Sequence, residues 1–405
     1  MKAPSFNELR STWRHLLLKD FVPFWLRHGI DREFGGVLSC MRDDGSLLST
    51  DKYMWSQCRA VWSFSAIYNR IEPRADLLQV ARTTADFILK HGRDAKGGYA
   101  FLVSREGNHL QGATSIYTEF FAAYGLGELY RATREKQHLD EALTALRSAM
   151  ARLKDPAFDA FAPYSKPEGI EWVHGIPMIG IEVAQEIAEI APEQDVLAFV
   201  DGCLDRVINH HTRPSRRLVL EHLGPGNTEV NTPPGRAVVP GHGIEMAWFV
   251  MHQARRRKDA ALVRRAVEIV RWLLEAGWDK EFGGIFLGID ADGGTPWWKH
   301  AEKKAWWPHT EALYALLLAH DLTREPWCME WYWRVHEWSW AHHPVPNHGE
   351  WHQRLDRQGR PTEEIIALPV KDPFHLPRSA ILSLAVLDRL AENQPPPDWM
   401  RTARS

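Results

Sequence analysis

Four apolar stretches of this sequence each place a charged residue at one shared position near their start. KYMWSQCRAVWSFS places Arg59 there, and the aligned stretch KKAWWPHTEALYAL places Glu311 there. GHGIEMAWFV and FHLPRSAILS place Glu245 and Arg378 at the same position. A charged group at the start of an apolar helix is costly if it is buried without a partner. Four such groups at equivalent positions therefore indicate a shared polar site.

Two of these stretches also carry a histidine three residues before the charged residue. His242 and His375 lie about one helical turn up the same face from Glu245 and Arg378. An imidazole takes or returns a proton near neutral pH, and an arginine such as Arg59 stabilises a developing oxyanion. Two imidazoles on separate helices could approach one carbon from opposite sides. The pattern predicts removal of a proton on one face and its return on the other, which is epimerisation.

Three other uses of these residues stay open at this stage. Helix capping and structural ion pairs would account for a single Glu or His, but less well for six residues at equivalent positions. A glycosidase needs two carboxylates across a cleft, which Glu245 and Glu311 could supply, but it has no evident use for two histidines. Metal binding is disfavoured for two reasons. The HxxE spacing of His242 and Glu245 differs from the zinc-binding motif HExxH, and the nearby arginines would repel a cation. We therefore predict no metal site.

An internal repeat provides the elements that position these residues. DREFGGVLSCMRDDG, from Asp31, and DKEFGGIFLGIDADG, from Asp279, are nearly identical, and weaker copies end at Gly107 and Gly359. The repeated unit has the pattern of a β-hairpin: a Gly-Gly pair, a short strand, and a turn at Asp-Gly or Glu-Gly. Glycine suits such turns because it adopts the positive φ angles that they need.

Apolar helices follow these loops, and amphipathic helices lie between the apolar ones. The apolar helices are predicted near residues 55–70, 115–132, 175–190, 242–256, 307–322 and 375–392. The amphipathic helices are predicted near residues 6–28, 74–91, 137–153, 194–209, 259–276 and 325–340. Six apolar helices inside six amphipathic ones predict an all-α (α/α)6 barrel with short β-hairpins on its rim. An open helical solenoid is the alternative.

The composition is that of an ordinary globular protein. Apolar residues make up 44% and charged residues 25% of the 405 residues, and the net charge of −3 indicates neither a nucleic-acid partner nor a membrane surface. The four cysteines form no CxxC pair, the N-terminus lacks an apolar signal segment, and no apolar run is long enough to span a membrane. We expect one cytoplasmic catalytic domain over residues 1–405, with a flexible tail at 393–405.

The site stretches resemble the N-acylglucosamine 2-epimerase family. DKYMWSQCRAVWSFSAIYNR, PGHGIEMAWF, KKAWWPHTEAL and PFHLPRSAI carry the resemblance, and they spread over most of the chain. The resemblance implies an (α/α)6 barrel, a sugar substrate and epimerase or isomerase activity. It also implies a homodimer, no required cofactor, and ATP as a possible activator that is not hydrolysed. The chain itself contains no GxxxxGK[ST] motif.

The resemblance further implies roles for individual residues. His242 and His375 correspond to an acid/base pair that exchanges the C2 proton of a ring-opened sugar. Arg59 corresponds to the group that stabilises the enediolate, and Glu245 and Glu311 to carboxylates that bind sugar hydroxyls and orient the histidines. Further substrate-binding residues are expected at Trp55, Gln57, Tyr117, Met178, Trp306, Trp307 and Arg378.

Some positions depart from relatives within this superfamily. Mannose isomerases and cellobiose epimerases carry a histidine in the third inner helix, where this chain has Ile179 after Met178. This difference favours an N-acylglucosamine substrate, although His174 could supply an imidazole instead. Pro373 and Val239 stand where N-acylglucosamine epimerases often have Cys and Asn. Two interpretations of the substrate therefore remain: an N-acylhexosamine, or free mannose converted to glucose or fructose.

Overall fold

The computed structural model describes residues 4–155 and 157–402, and helices dominate this part of the chain. The inner ring consists of α3 (Met54–Arg70), α5 (Ile116–Thr133), α7 (Gly175–Ile190), α9 (Pro240–Arg257), α11 (Trp306–Thr323) and α13 (His375–Ala391). The outer ring consists of α1 (Phe6–His15) with α2 (Val22–His28), α4 (Ala75–His91), α6 (Lys136–Arg152), α8 (Gln194–Asp205), α10 (Ala260–Gly277) and α12 (Pro326–His342). Each predicted helix is present within a few residues of its expected bounds.

The inner helices form a closed ring. Each contacts the next along the chain, and α13 returns to contact α3. Helix α11 is buried on nearly every face, whereas α10 alternates buried apolar and exposed polar positions. Closure of the ring excludes the open solenoid and confirms the (α/α)6 barrel.

Two segments of the outer ring have the wider hydrogen bonding of a π-helix. Residues Leu16–Phe21 join α1 to α2, and Arg206–His211 extend α8. A π-helical turn inserts one extra residue into the helical register, and such insertions often lie near functional sites. The second of these segments ends at His211, whose buried ring contacts His174.

Short strands on the rim link neighbouring loops. They are β1 (Lys52–Tyr53), β2 (Leu102–Val103), β3 (His109–Gln111), β4 (Trp172–Val173), β5 (Thr212–Arg213), β6 (Leu218–Val219), β7 (His222–Leu223), β8 (Ala237–Val238), β9 (Ile289–Asp290), β10 (Lys304–Ala305) and β11 (Arg354–Leu355). The predicted turns are present, with positive φ at the glycine that ends each copy, Gly45, Gly107, Gly293 and Gly359. The prediction of hairpins was only partly right, because β1–β2, β4–β7, β8–β9 and β10–β11 pair different loops of the rim.

The duplicated loop is held by a buried ion pair in each copy. Lys52 Nζ lies 2.9 Å from an oxygen of Asp31, and Lys304 Nζ lies 3.0 Å from an oxygen of Asp279. Both lysines are fully buried, so removal of either aspartate would leave an unpaired buried charge. The repeat is therefore a folding element that fixes the loop leading into α3 and α11.

The C-terminal part of the chain returns to the barrel. Helix α14 (Asp398–Thr402) lies within the predicted tail, and Met400 in it is buried. Residues 403–405 of that tail lie outside the described residues. No helix in the described ranges combines the length and apolar character needed to cross a membrane.

Candidate active site

Two imidazoles flank one indole at the start of the inner helices. Trp307 is the second residue of α11, which lies between α9 and α13 in the ring. Its ring centroid lies 5.2 Å from that of His242 on α9 and 5.7 Å from that of His375 on α13. The structure thus brings together the two histidines that the sequence placed on equivalent turns.

A buried carboxylate binds His375. Oε1 of Glu311 lies 2.7 Å from Nδ1 of His375, and Oε2 accepts a hydrogen bond of 2.8 Å from the indole nitrogen of Trp248. A carboxylate only accepts, so Nδ1 of His375 carries the proton and the neutral ring presents Nε2 as its basic nitrogen. The contact with Glu311 therefore fixes the ring of His375.

Arg378 joins the two glutamates of the cluster. Its Nη2 donates to Oε1 of Glu311 over 2.7 Å and also to Oε1 of Glu245. Burial alone would raise the pKa of Glu311, but the charge of Arg378 and the hydrogen bond from His375 outweigh it and lower the pKa to about 2. Glu311 is therefore ionised throughout the neutral range.

A second carboxylate, from a rim loop, binds His242. Nδ1 of His242 lies 3.0 Å from Oε2 of Glu221, which follows β6. Burial would lower the pKa of His242, but the charge and hydrogen bond of Glu221 outweigh it and raise the pKa above the ordinary value. Glu245 makes no hydrogen bond to either histidine among the described residues, and the carboxylate that contacts Nδ1 of His242 is Glu221.

Arg59 is held in place by one ion pair and by aromatic rings. Its Nη1 donates to Oδ1 of Asp372 over 2.8 Å, and its guanidinium lies 4.1 Å from the ring centroid of Phe121. Trp55 and Phe374 each lie 4.9 Å away. The other oxygen of Asp372 accepts from the backbone N–H of His375 over 2.9 Å. One carboxylate thus fixes both Arg59 and the start of α13.

Several predicted binding residues lie beside this cluster. A methyl group at Gly175 would lie 2.6 Å from the hydroxyl oxygen of Tyr117 and 3.8 Å from Cε1 of His242, which places Tyr117 near the histidine. Trp306 meets His375 edge to face at 6.0 Å. Met178 follows Gly175 by three residues on α7, so it shares the face that points to the cluster.

Gln57 is placed elsewhere. Its side chain is fully buried, accepts from the backbone N–H of Val37 over 2.7 Å and donates to the Val37 carbonyl over 2.9 Å. His309, the equivalent residue of the second copy, accepts from the backbone N–H of Ile285. Both residues hold a repeated loop against its helix, so the structure does not bring Gln57 to the cavity.

We therefore expect Gln57→Ala to lower stability and leave substrate binding almost unchanged. The substitution leaves a buried N–H and a buried C=O of Val37 without partners, at a cost of about 2–4 kcal/mol. Urea unfolding and steady-state kinetics measure the two effects separately. A raised KM at unchanged stability would contradict this placement and return Gln57 to the cavity wall.

Sequence reasoning missed Glu221 and Asp372. Both lie in loops, outside the helical repeat that aligned the other residues. A weak signal was present for Asp372, since an Asp shortly before a helix often accepts hydrogen bonds from the backbone N–H groups two or three residues on. For Glu221, nothing in a single sequence connects a rim residue to a histidine 21 positions away.

Gly241 lets Trp307 lie close to α9. A methyl group there would lie 2.7 Å from Cη2 of Trp307, closer than atoms can pack. We expect Gly241→Ala to displace the indole and with it both histidines, and so to lower kcat/KM about tenfold or more. Kinetics on the purified variant test this, with thermal unfolding as the control for folding. Unchanged kcat/KM would show that the position of Trp307 does not matter.

The chain is similar to known sugar epimerases over nearly its full length. It is 30% identical over 402 residues to an N-acylglucosamine 2-epimerase of Homo sapiens, covering 96% of this chain and 93% of that protein. It is 29% identical over 408 residues to the Bos taurus protein of the same description, covering 98% of this chain and 96% of that protein. The structure of cellobiose 2-epimerase from Bacillus thermoamylovorans B4167 has the same fold, with a TM-score of 0.82 at 18% identity, covering 94% of this chain and 99% of that one.

These similarities place the chain among the sugar epimerases, which are enzymes of the isomerase class. The family model described as N-acylglucosamine 2-epimerase matches residues 36–376. The chain therefore belongs to the N-acylglucosamine 2-epimerase family.

Proposed function

We propose that this enzyme interconverts an N-acylglucosamine and the corresponding N-acylmannosamine by moving the proton at C2. The observation that carries the proposal is the pair of imidazoles that both lie beside Trp307, each bound at Nδ1 by its own carboxylate. This arrangement leaves the Nε2 atoms of His242 and His375 as the two groups available for proton transfer.

The reaction begins with the ring-opened sugar in the cavity. One imidazole removes the C2 proton through Nε2, and the electron pair of the C–H bond moves into the C1–C2 bond while the C1 carbonyl oxygen becomes an oxyanion. Arg59, fixed by Asp372, stabilises that oxyanion. The other imidazole then delivers a proton to the opposite face of C2. The transfer is complete without a redox cofactor, because the electron pair stays on the substrate.

Protonation states suit this scheme. The raised pKa of His242 favours its imidazolium form near neutral pH, which makes His242 the proton donor of the resting enzyme. His375 then acts as base for the epimer whose C2 hydrogen faces it. After one turnover His375 has gained a proton and His242 has lost one. In the reverse direction His242 therefore acts as the base and His375 as the proton donor.

The walls of the cavity suit a sugar with an acyl group. Trp55, Trp306 and Trp307 offer indole faces for the apolar faces of the sugar. Met178 and the following Ile179 provide an apolar region for the acyl methyl. ATP activation and a homodimer remain predictions that come from the family resemblance, and a cytoplasmic location remains a prediction from the cysteines and the N-terminal sequence.

The carboxylate pair is poorly arranged for glycoside hydrolysis. A general acid must be protonated before it acts, whereas the pKa of Glu311 is lowered to about 2. Glu245 and Glu311 also both bind Arg378, which offsets part of their charge and occupies one oxygen of each carboxylate. These contacts favour the epimerase over the glycosidase alternative.

Proton NMR in D2O tests the proposal, with N-acetylmannosamine and mannose as separate substrates. We expect N-acetylglucosamine that carries deuterium at C2 to form from N-acetylmannosamine. Conversion of mannose alone would contradict the N-acyl assignment, with glucose indicating a hexose epimerase and fructose an aldose–ketose isomerase. An absence of exchange with both sugars would overturn the proposed chemistry.

A further inference from the structure

His174 is a buried imidazole that the proposed reaction leaves unused. Its side chain is 1% exposed, and its Nε2 has no hydrogen-bond partner in the described ranges. Its Nδ1 lies 3.9 Å from Oε2 of Glu221, too far for a hydrogen bond. Burial lowers the pKa of His174 to about 3, so the ring is neutral.

The surroundings of His174 supply further donor atoms. One ligand atom each from His174, Glu221 and His242 lies within 4.8 Å of the others. From Oε2 of Glu221, the separations are 3.0 Å to Nδ1 of His242 and 3.9 Å to Nδ1 of His174. The ligand atom that His174 would offer is therefore Nδ1. Donors around a tetrahedral zinc ion lie about 3.4 Å apart, so the three donor atoms, all within 4.8 Å of one another, would have to draw closer together around a bound ion.

Two other groups of histidine and carboxylate lie in the barrel, but arginines already bridge them. Arg378 donates to both glutamates of the set Glu245, Glu311 and His375. In the set Glu182, Glu186 and His252, the carboxylate of Glu186 contacts Arg70, Arg131 and Arg256. A guanidinium both repels a cation and occupies the carboxylate oxygens. For Glu221, the structure gives ion pairs only with His174 and His242 among the described residues.

We propose that His174, Glu221 and His242 bind one Zn²⁺ ion, with water from the cavity as the fourth ligand. Two imidazoles and one carboxylate are a ligand set that suits zinc. The side chain of His242 is 30% exposed, which opens the site to the cavity. This site uses Glu221, which the sequence did not reveal, and it departs from the sequence-based expectation of no metal.

Zinc at this site inhibits the enzyme, a consequence that rests on the proposed function. The ion takes the place of the proton on Nδ1 of His242, and that proton leaves to solvent. The neutral ring then carries its remaining proton on Nε2, so Nε2 has no lone pair with which to accept the C2 proton. Zinc thus removes one of the two bases without displacing the histidine.

Metal binding is measured directly, without reference to turnover. Zn²⁺ is titrated into the full chain in competition with a chromophoric chelator, and Co²⁺ is used as a spectroscopic probe of tetrahedral coordination. We expect one ion per chain, and a loss of affinity of about tenfold or more in His174→Ala and in Glu221→Gln. Circular dichroism establishes that each variant is folded.

His211→Ala is the matched control. This imidazole is also buried, its ring lies 5.3 Å from that of His174, and its Nδ1 lies 2.8 Å from the Leu220 carbonyl. We expect its loss to change the affinity for zinc by less than about threefold.

Three results would overturn parts of the inference. Equal affinity in the wild type and in folded His174→Ala, or no tetrahedral cobalt spectrum, would overturn the site. Stoichiometric zinc binding without loss of interconversion of the two epimers, in an enzyme shown to be an epimerase, would overturn the inhibition. If the wild type shows no epimerase activity, the proposed function fails while the binding measurement still decides the site.

Discussion

His375→Asn is expected to abolish epimerisation, with a loss in kcat of about 10⁴-fold, while the barrel stays folded. Asparagine removes the basic Nε2 but keeps an amide N–H that can donate to Glu311, so the buried carboxylate retains a partner. Proton NMR, which distinguishes the two epimers, measures turnover. Thermal unfolding shows whether the variant is folded. His242→Asn is the matched variant on the other side of Trp307.

Isotope exchange separates a two-base mechanism from the loss of a merely structural residue. If each histidine serves one face of C2, each variant keeps one base. His375→Asn should then still exchange the C2 hydrogen of one epimer with D2O, and His242→Asn that of the other epimer, although neither interconverts them. Loss of exchange for both epimers in both folded variants would contradict the division of faces. Retained epimerisation in His375→Asn would remove that residue from the acid/base role.

The sequence predicted the helices well because the spacing of apolar residues indicates which faces of a helix are buried. The inner helices are apolar all round, and the outer ones are apolar on one face, so their bounds follow from periodicity alone. The same repeat aligned the residues at the starts of the inner helices, which is why His242, His375, Arg59, Glu245, Glu311 and Arg378 were found together. Closure into a ring could be predicted only as the better of two arrangements, since neighbouring helices pack alike in a solenoid.

The errors in the site prediction have physical causes. Gln57 lies two residues before Arg59, so the two side chains point to opposite sides of α3, and only one of them can face the cavity. Glu245 was expected to orient a histidine, but Arg378 is buried beside it and binds it instead. A buried arginine requires carboxylate partners, so the charged residues of the repeat partly neutralise one another.

The loops supply what the helical repeat could not reveal. Glu221 fixes the tautomer of His242, and Asp372 fixes both Arg59 and the first turn of α13. Each of these carboxylates comes from a rim segment and acts on a residue of an inner helix. Only the folded chain brings such pairs together, because their spacing in sequence follows no helical period.

Arg59→Lys is expected to lower kcat about 100-fold or more, although the positive charge is kept. The ammonium group can still reach Asp372, so the buried carboxylate remains paired and the start of α13 remains capped. A lysine, however, lacks the planar guanidinium that stacks on Phe121, and its single point charge does not present several donors to the enediolate.

The pattern of kinetic constants decides what Arg59 does. If Arg59 acts on the oxyanion alone, kcat and kcat/KM fall together, and the rate of C2 hydrogen exchange falls in parallel, because the stabilised charge exists only after the C–H bond has begun to break. If KM rises while kcat holds, Arg59 binds the ground state of the sugar and the enediolate is stabilised elsewhere. Asp372→Asn provides a further comparison: it leaves the guanidinium intact but removes its anchor, so we expect a smaller loss in kcat than in Arg59→Lys, together with a weakened start of α13.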